Sequence, residues 1–175
     1  LVNQLLVLAR VEPGSAREVH LQELDLVQLA RDATAEWVTA ALSRQIDLGF
    51  ETTQKHVLIN GNALMLQELI ANLLDNAVRY TPFQGKITVT VAADEDQATL
   101  MVEDSGPGIP LAEREHIFER FYRLPESTGD GCGLGLAIVR EIALMHHAGV
   151  NIESGAGGRG TMVKLCVPIS GKVAR

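Results

Sequence analysis

The stretch QELIANLLDNAVRYT, residues 67–81, reads as a helix that can bury only one side. With Glu68 as origin and about 100° per residue, Leu66, Leu69, Ile70, Leu73, Leu74 and Ala77 fill an arc from roughly 100° to 240°. That arc is a core face and needs a second layer to receive it. The opposite arc carries Asn72, Asn76 and Arg79 within about 80° of Glu68. Asn and Asp are poor interior helix formers, because their short polar side chains compete for backbone hydrogen bonds. The helix pattern alone favours an ordinary solvated face, yet Glu, Lys or Gln would serve one at lower cost. Oxygen donors in a row can hold a hard cation such as Mg²⁺, and an Arg at the end of the row suits a phosphate.

The rest of the chain supplies the second layer. Residues 1–11, LVNQLLVLARV, have helical spacing, and EPGSARE reads as a linker. A first strand is expected in EVHLQEL, followed by a helix capped at Asp25 that runs to about Arg44. Its face is Leu26, Leu29, Ala33, Trp37 and Ala41. IDLGFE and HVLING are strand-like, as are KITVTVA and ATLMVED around the acidic turn ADEDQ. After an irregular stretch to about residue 132 come a helix over 134–147 and two closing strands, GVNIES and TMVKLCVPI. The order β-α-β-β-α-β-β-loop-α-β-β implies a mixed sheet with helices on one face.

Three further clusters could carry chemistry. In EDSGPGIP, residues 103–110, Asp104 ends a strand beside two glycines that allow a sharp turn and close approach to a ligand. An Asx-type turn explains the same pattern. In GDGCGLGLAIV, glycines lead into a helix whose free N–H groups and dipole make an anion site. Neither the P-loop nor the dinucleotide pattern fits there. GAGGRG at 155–160 does fit the dinucleotide pattern, but it leads into a strand and reads better as a hairpin. Between these clusters, LAEREHIFERFYRLPESTGD joins Phe118, Phe121 and Tyr122 with Arg120 and Arg123. It reads equally as a mobile cover or as a surface excursion.

Composition narrows the field. A net charge of −7 with no basic stripe disfavours a nucleic-acid surface, and 46% hydrophobic residues mark a globular chain. Cys132 and Cys166 have no metal-ligand spacing and read as free thiols. The five histidines, His20, His56, His116, His146 and His147, read as structural, the last pair as cations welcome at a helix C-terminus. No apolar run approaches the roughly 18 residues of a membrane span. The opening in mid-pattern suggests a piece of a longer protein.

Taken in order, the clusters resemble the ATP-binding catalytic domain of bacterial sensor histidine kinases of the QseC/TctE type. These belong to the superfamily that also holds gyrase, Hsp90 and MutL. ELIANLLDNAVRYT resembles the N box, DSGPGIP the G1 box, FERFYR the F box and GCGLGLAIV the G2 box, with GRGT at 158–161 as the last glycine motif. The resemblance spans about residues 20–168. It implies an α+β fold, a two-layer α/β sandwich of the Bergerat type. About five main strands of mixed sheet would pack on about three helices, with a short N-terminal helix stub. Residues 1–14 would end the dimerisation and phosphoacceptor domain, and 15–175 would form the ATP-binding domain.

The resemblance also implies roles. Asn72 would be the Mg²⁺ ligand, with Glu68 in a supporting or base-like role. Asn76 would contact phosphate or metal-bound water, and Arg79, where the family usually has Lys, would reach phosphate. Tyr80 would pack on the nucleotide, Asp104 accept from the adenine amine, and Ile109 line the base pocket. Gly106 and Gly108 would permit close approach, and Thr161 would assist at adenine through water. Gly133, Leu134 and Gly135 would bring N–H groups to the phosphates, and Arg123 would meet the γ-phosphate. The implied cofactors are ATP and Mg²⁺. The implied partners are the phosphoacceptor histidine domain of the same receptor and a cognate response regulator. The whole protein would be an inner-membrane homodimer with this domain in the cytoplasm. No H box is present, so the chain alone is expected to bind ATP without autophosphorylating. A nucleotide-binding regulatory module without kinase activity is the alternative. A hydrolytic ATPase of the same superfamily fits the FERFYR lid less well.

Overall fold

Strict period-2 burial makes the sheet. In β4 (Lys86–Ala93) the buried positions are Ile87, Val89 and Val91, and in β5 (Gln97–Asp104) they are Ala98, Leu100 and Val102. The antiparallel register sets Val89 opposite Val102 and Val91 opposite Leu100. On the other side of β5, β7 (Thr161–Pro168) sets Val163 against Val102 and Leu165 against Leu100. The buried apolar side chains of these strands therefore leave the sheet on one face, while Met101, Met162 and Cys166 point to the other.

The protein is described here from a computed structural model covering residues 20–124 and 131–169. Its remaining elements are β1 (Gln22–Asp25), α1 (Leu26–Glu36), α2 (Val38–Ser43), β2 (Asp47–Thr52), β3 (Leu58–Gly61), α3 (Ala63–Tyr80), α4 (Gly135–Met145) and β6 (Gly149–Ser154). The main sheet runs β2-β4-β5-β7-β6, with β2 parallel to β4 and every other pair antiparallel. A small β1-β3 ladder stands apart. Helices α1, α3 and α4 form the second layer. The expected α+β sandwich, a mixed five-stranded sheet on three helices, is the observed fold. The stub helix over 1–11, its linker, the boundary at 14 and the start of EVHLQEL lie outside the described residues. No helix among the described residues is long and apolar enough to cross a membrane.

The arc expected to be apolar on α3 is its core face: Leu66, Leu69, Ile70, Leu73, Leu74 and Ala77 are all buried. Full burial of each Leu or Ile is worth about 1.5–3 kcal/mol. The helix starts earlier than its apolar pattern suggests, because the Asn62 side chain caps it by accepting from Met65 N at 3.1 Å.

Three other expectations need correction. The helix from Asp25 does not run unbroken to Arg44 but splits at Trp37 into α1 and α2. The Thr34 hydroxyl donates to the Ala30 carbonyl at 2.7 Å, and Trp37 N–H turns back to Thr34 O at 3.1 Å, tightening the last turn. Leu29 and Trp37 are only half-buried and pack against the core. The first strand, Gln22–Asp25, occupies the end of EVHLQEL and one residue beyond it, as expected. Helix α4 stops at Met145, and His147 turns left-handed at φ 52°.

His146 is the third correction. It is 2% exposed, and burial pushes its pKa down, so it is not the terminal cation expected. Its Nε2 accepts from Asn62 N–H at 2.9 Å, which requires Nδ1 to carry the proton donated to Ile142 O at 2.7 Å. A neutral imidazole thus joins the end of α4 to the start of α3. Asp25 does cap α1, accepting from Val27 N, and it also accepts from Val57 N and pairs with His56. Burial pushes its pKa up, but these bonds outweigh that and hold it below the usual value.

Candidate functional site

Between α3, the end of β5, residues 111–124 and the start of α4 lies an open cleft of about 1300 Å³. Its floor is the polar arc of α3. Asn72 is only 6% exposed, and its Nδ2 donates to Glu68 O at 2.8 Å and Glu68 Oε1 at 3.2 Å. With the amide hydrogens engaged inside the helix, the oxygen is left for what faces it. A Cβ built on Gly135 would lie 3.3 Å from Asn72 Oδ1 and 3.5 Å from Asn76 Nδ2. Glycine at 135 therefore lets the first turn of α4 come down onto the carboxamide row. Leu134 at the N-cap position makes no side-chain capping bond, so among the described residues the leading N–H groups of that turn remain available to an anion. Leu134 can serve there only through its backbone, since its side chain is fully buried.

Arg79 lies one turn further along the floor. Its guanidinium pairs with Asp75 at 3.1 Å, and Nη1 lies 3.6 Å from the Cβ position of Gly131. Tyr80 follows and also lines the cleft.

The far wall is built around Asp104, the last residue of β5 and the register partner of Thr161. Its carboxylate accepts from Gly106 N at 2.7 Å and from the backbone and hydroxyl of Thr161. Burial nevertheless pushes its pKa up. The Asx-type turn read from the sequence is present in the Gly106 bond. The glycines here are demanded by backbone crossings. A Cβ on Gly106 would sit 3.0 Å from Tyr80 O, and one on Gly108 (φ 81°) 2.9 Å from Gly160 O. The close approach is thus first between three chain segments that frame Asp104. GAGGRG is the β6–β7 hairpin, which brings Gly160 and Thr161 to this wall.

The roof, residues 111–124, carries two single turns of 3₁₀ helix. Ile117 and Phe118 pack partly on the core. The Tyr122 hydroxyl donates to the Glu113 carboxylate, a bond that pushes the Tyr122 pKa up. Glu119 does the same for His116 from 2.8 Å. Phe121 N–H donates to Gly133 O at 2.9 Å, and at φ 70° Gly133 has no room for a Cβ against Phe121 and Tyr122. Arg123 lines the cleft from this side. Residues 125–130, the end of the LAEREHIFERFYRLPESTGD run, lie outside the described residues.

Every site residue named from the sequence thus lines the cleft or frames it, on three separate walls. Sequence reasoning missed Arg114, which ties the walls together. Its Nε donates to Ile109 O at 3.1 Å and its Nη2 to Ser154 Oγ at 2.7 Å, linking the loop after Asp104 to β6. Partners 40 residues away leave no local signal. Trp37, at the α1–α2 break, also lines the cleft, and an aromatic on a helix face gave no hint of it.

A divalent metal on the floor would find few protein ligands. Among the described residues, no group of three or more His, Cys, Asp or Glu could hold one. The Asn72 oxygen, with Glu68 and Asn76 adjacent, suits a hard ion that keeps several waters and takes its remaining oxygens from phosphate.

Comparison with known proteins agrees with this geometry. Residues 61–171 match the family described as histidine kinase-, DNA gyrase B-, and HSP90-like ATPase. The chain is 37% identical over 169 residues to sensor protein kinase PmrB of Pseudomonas aeruginosa, covering 96% of this chain and 35% of that protein. It is 37% identical over 160 residues to sensor protein QseC of Escherichia coli, covering 91% and 34%. The chain thus spans little more than 34% of these relatives' length. Full-length ShkA, solved in complex with AMPPNP, superposes with a TM-score of 0.84 at 28% identity, over 99% of this chain and 36% of that one. The chain belongs to the histidine kinase, gyrase and Hsp90-like ATPase family, as the catalytic ATP-binding domain of a sensor histidine kinase.

Proposed function

We propose that this domain binds Mg²⁺–ATP in the cleft and passes the γ-phosphoryl group to a histidine on the dimerisation and phosphoacceptor domain of the same receptor. The observation that carries this reading is the row Glu68, Asn72 and Asn76 facing the uncapped start of α4, with Asp104 on the opposite wall. Such a site can grip a triphosphate at one end and an adenine at the other.

Asp104 accepts from the adenine amine, and Thr161, already bonded to that carboxylate, steadies it and reaches the base through water. Gly106 and Gly108 keep the framing loop close, Ile109 lines the base pocket, and Tyr80 packs on the nucleotide. Backbone N–H groups of Gly133, Leu134 and Gly135 meet the phosphates, with Asn76 and Arg79 beside them. Arg79 keeps the charge of the usual Lys but offers a planar fork. Asn72 holds the metal, Glu68 supports Asn72 and is placed for a base-like role, and Arg123 meets the γ-phosphate from the roof. When bound, Mg²⁺ supplies charge neutralisation at the phosphate oxygens. The residues supply positioning and fixed dipoles, which dominate phosphoryl transfer. The wider assignment is a homodimeric inner-membrane receptor whose cytoplasmic part includes this domain and signals to a response regulator.

The test is transfer in trans. The chain is mixed with a separately made phosphoacceptor domain, Mg²⁺ and γ-labelled ATP. Acid-labile, base-stable label on the acceptor is expected. Tight ATP binding without any transfer would instead support a regulatory module that signals through conformation.

A further inference from the structure

Arg44 ends α2 and takes no part in the cleft lining, yet it grips the last turn of α3. Its Nη1 donates to Val78 O at 2.6 Å and to Arg79 O at 2.9 Å, and its Nη2 donates to Thr81 O at 3.1 Å. Its own carbonyl accepts from Gln84 N at 3.4 Å. The final carbonyls of a helix lack partners within the helix, and the usual remedy is a glycine in the left-handed conformation. Helix α3 ends instead at Thr81 in extended geometry, followed by Pro82, so the caps must come from elsewhere. Arg44 supplies them from 34 to 37 residues upstream.

The gripped turn carries Arg79 and Tyr80. The Arg79 guanidinium lies 3.6 Å from the Cβ position of Gly131, and the Tyr80 carbonyl is the surface on which Gly106 rests. An α3 end free to fray would move both.

We infer that Arg44 is a positioning residue for nucleotide binding. By capping three carbonyls it fixes the turn that aims Arg79 at the phosphate side of the cleft. The inference rests on the nucleotide-binding reading above and adds a residue outside the cleft to it. A planar guanidinium can serve several carbonyls at once, whereas an ammonium in its place serves them less well.

The experiment measures the affinity of the 175-residue chain for Mg²⁺ with an unhydrolysable ATP analogue by calorimetry. Folded fraction is followed by circular dichroism in the same buffer. Arg44→Gln is expected to weaken binding about tenfold while staying folded, and Arg44→Lys to recover part of the loss. In an Arg79→Gln background, adding Arg44→Gln should cost about twofold or less, because its effect passes through Arg79. Folded Arg44→Gln with native affinity would overturn the inference, as would full additivity with Arg79→Gln. Should Arg44→Gln not fold, Arg44→Lys decides: a loss of about threefold supports the role, and native affinity refutes it. A native chain that binds no nucleotide would instead remove the underlying reading, and that result is separable from all of these.

Discussion

The floor and the roof of the cleft are made by different physics. On the floor, α3 seals one face into the core, with Leu69, Ile70 and Leu74 fully buried, and holds Asn72 at 6% exposure beside them. On the roof, the 3₁₀ turns are only 3 residues long, and Leu111 and Phe121 stand 80% and 64% exposed. The roof is tied by the partial packing of Ile117 and Phe118 on the core and by partly exposed polar contacts, among them Arg114 to Ile109 and Ser154, Tyr122 to Glu113, and Phe121 N–H to Gly133 O. Burying apolar area fixes a side chain's position before any ligand arrives, whereas exposed hydrogen bonds exchange with water or ligand at small net cost. The floor is therefore preorganised, and on the nucleotide-binding reading proposed above the roof is the part that would rearrange around the ligand.

The largest test of that contrast is in the core beneath the floor. Leu74→Ala should cost about 2–5 kcal/mol in denaturant unfolding, because it leaves a cavity under the asparagine row. Next is Asn72→Ala, which should lower Mg²⁺-dependent nucleotide affinity roughly a hundredfold or more. The fold should survive, since the lost bonds run only to Glu68 of the same helix. Unchanged affinity by calorimetry would remove Asn72 from the metal site.

Asp104→Asn probes the far wall and separates binding from stability. Burial raises the Asp104 pKa, so the folded protein holds that proton more tightly than the unfolded chain does. The contribution of Asp104 to ligand-free stability should thus be complete below about pH 3.9 and be lost as pH rises from there through the raised value. Asn should remove that fall and stabilise the free protein at neutral pH, while weakening nucleotide binding about tenfold or more by losing a charge-assisted acceptor. Urea titrations at several pH values, with and without nucleotide, read both effects.

His146 shows the opposite sign. Its pKa is depressed, so its contribution is complete above about pH 6.5 and lost as pH falls from there through the folded value. The unfolding midpoint should drop across that window, and less so in His146→Gln. The smallest effect belongs to the roof: Phe121→Ala should change stability by no more than about 0.5 kcal/mol. A larger loss would mean that Phe121, like Ile117 and Phe118, is held by the core.

Much of this is legible in the sequence. The α3 core arc and the period-2 strands follow from local periodicity, which burial enforces directly. The break at Trp37 was not readable, because it depends on which carbonyl the Thr34 hydroxyl takes. Nor was the state of His146, whose neutrality comes from burial between two helices and whose Nε2 accepts from Asn62 N–H, 84 residues away. Glycines 106, 108 and 160 were legible as special, but what excludes a Cβ at each is another segment of this chain.

By itself, then, the sequence determined the order of elements, the one-sided sheet and the ligand-like residue types along α3, since each depends on neighbours a few positions away. Only the tertiary structure decided that the Asn72 oxygen faces the first turn of α4, that Thr161 and Gly106 clasp Asp104, and that Arg44 holds the end of α3. Those facts join segments tens of residues apart, and only the closing of two layers on one core brings them within hydrogen-bonding distance.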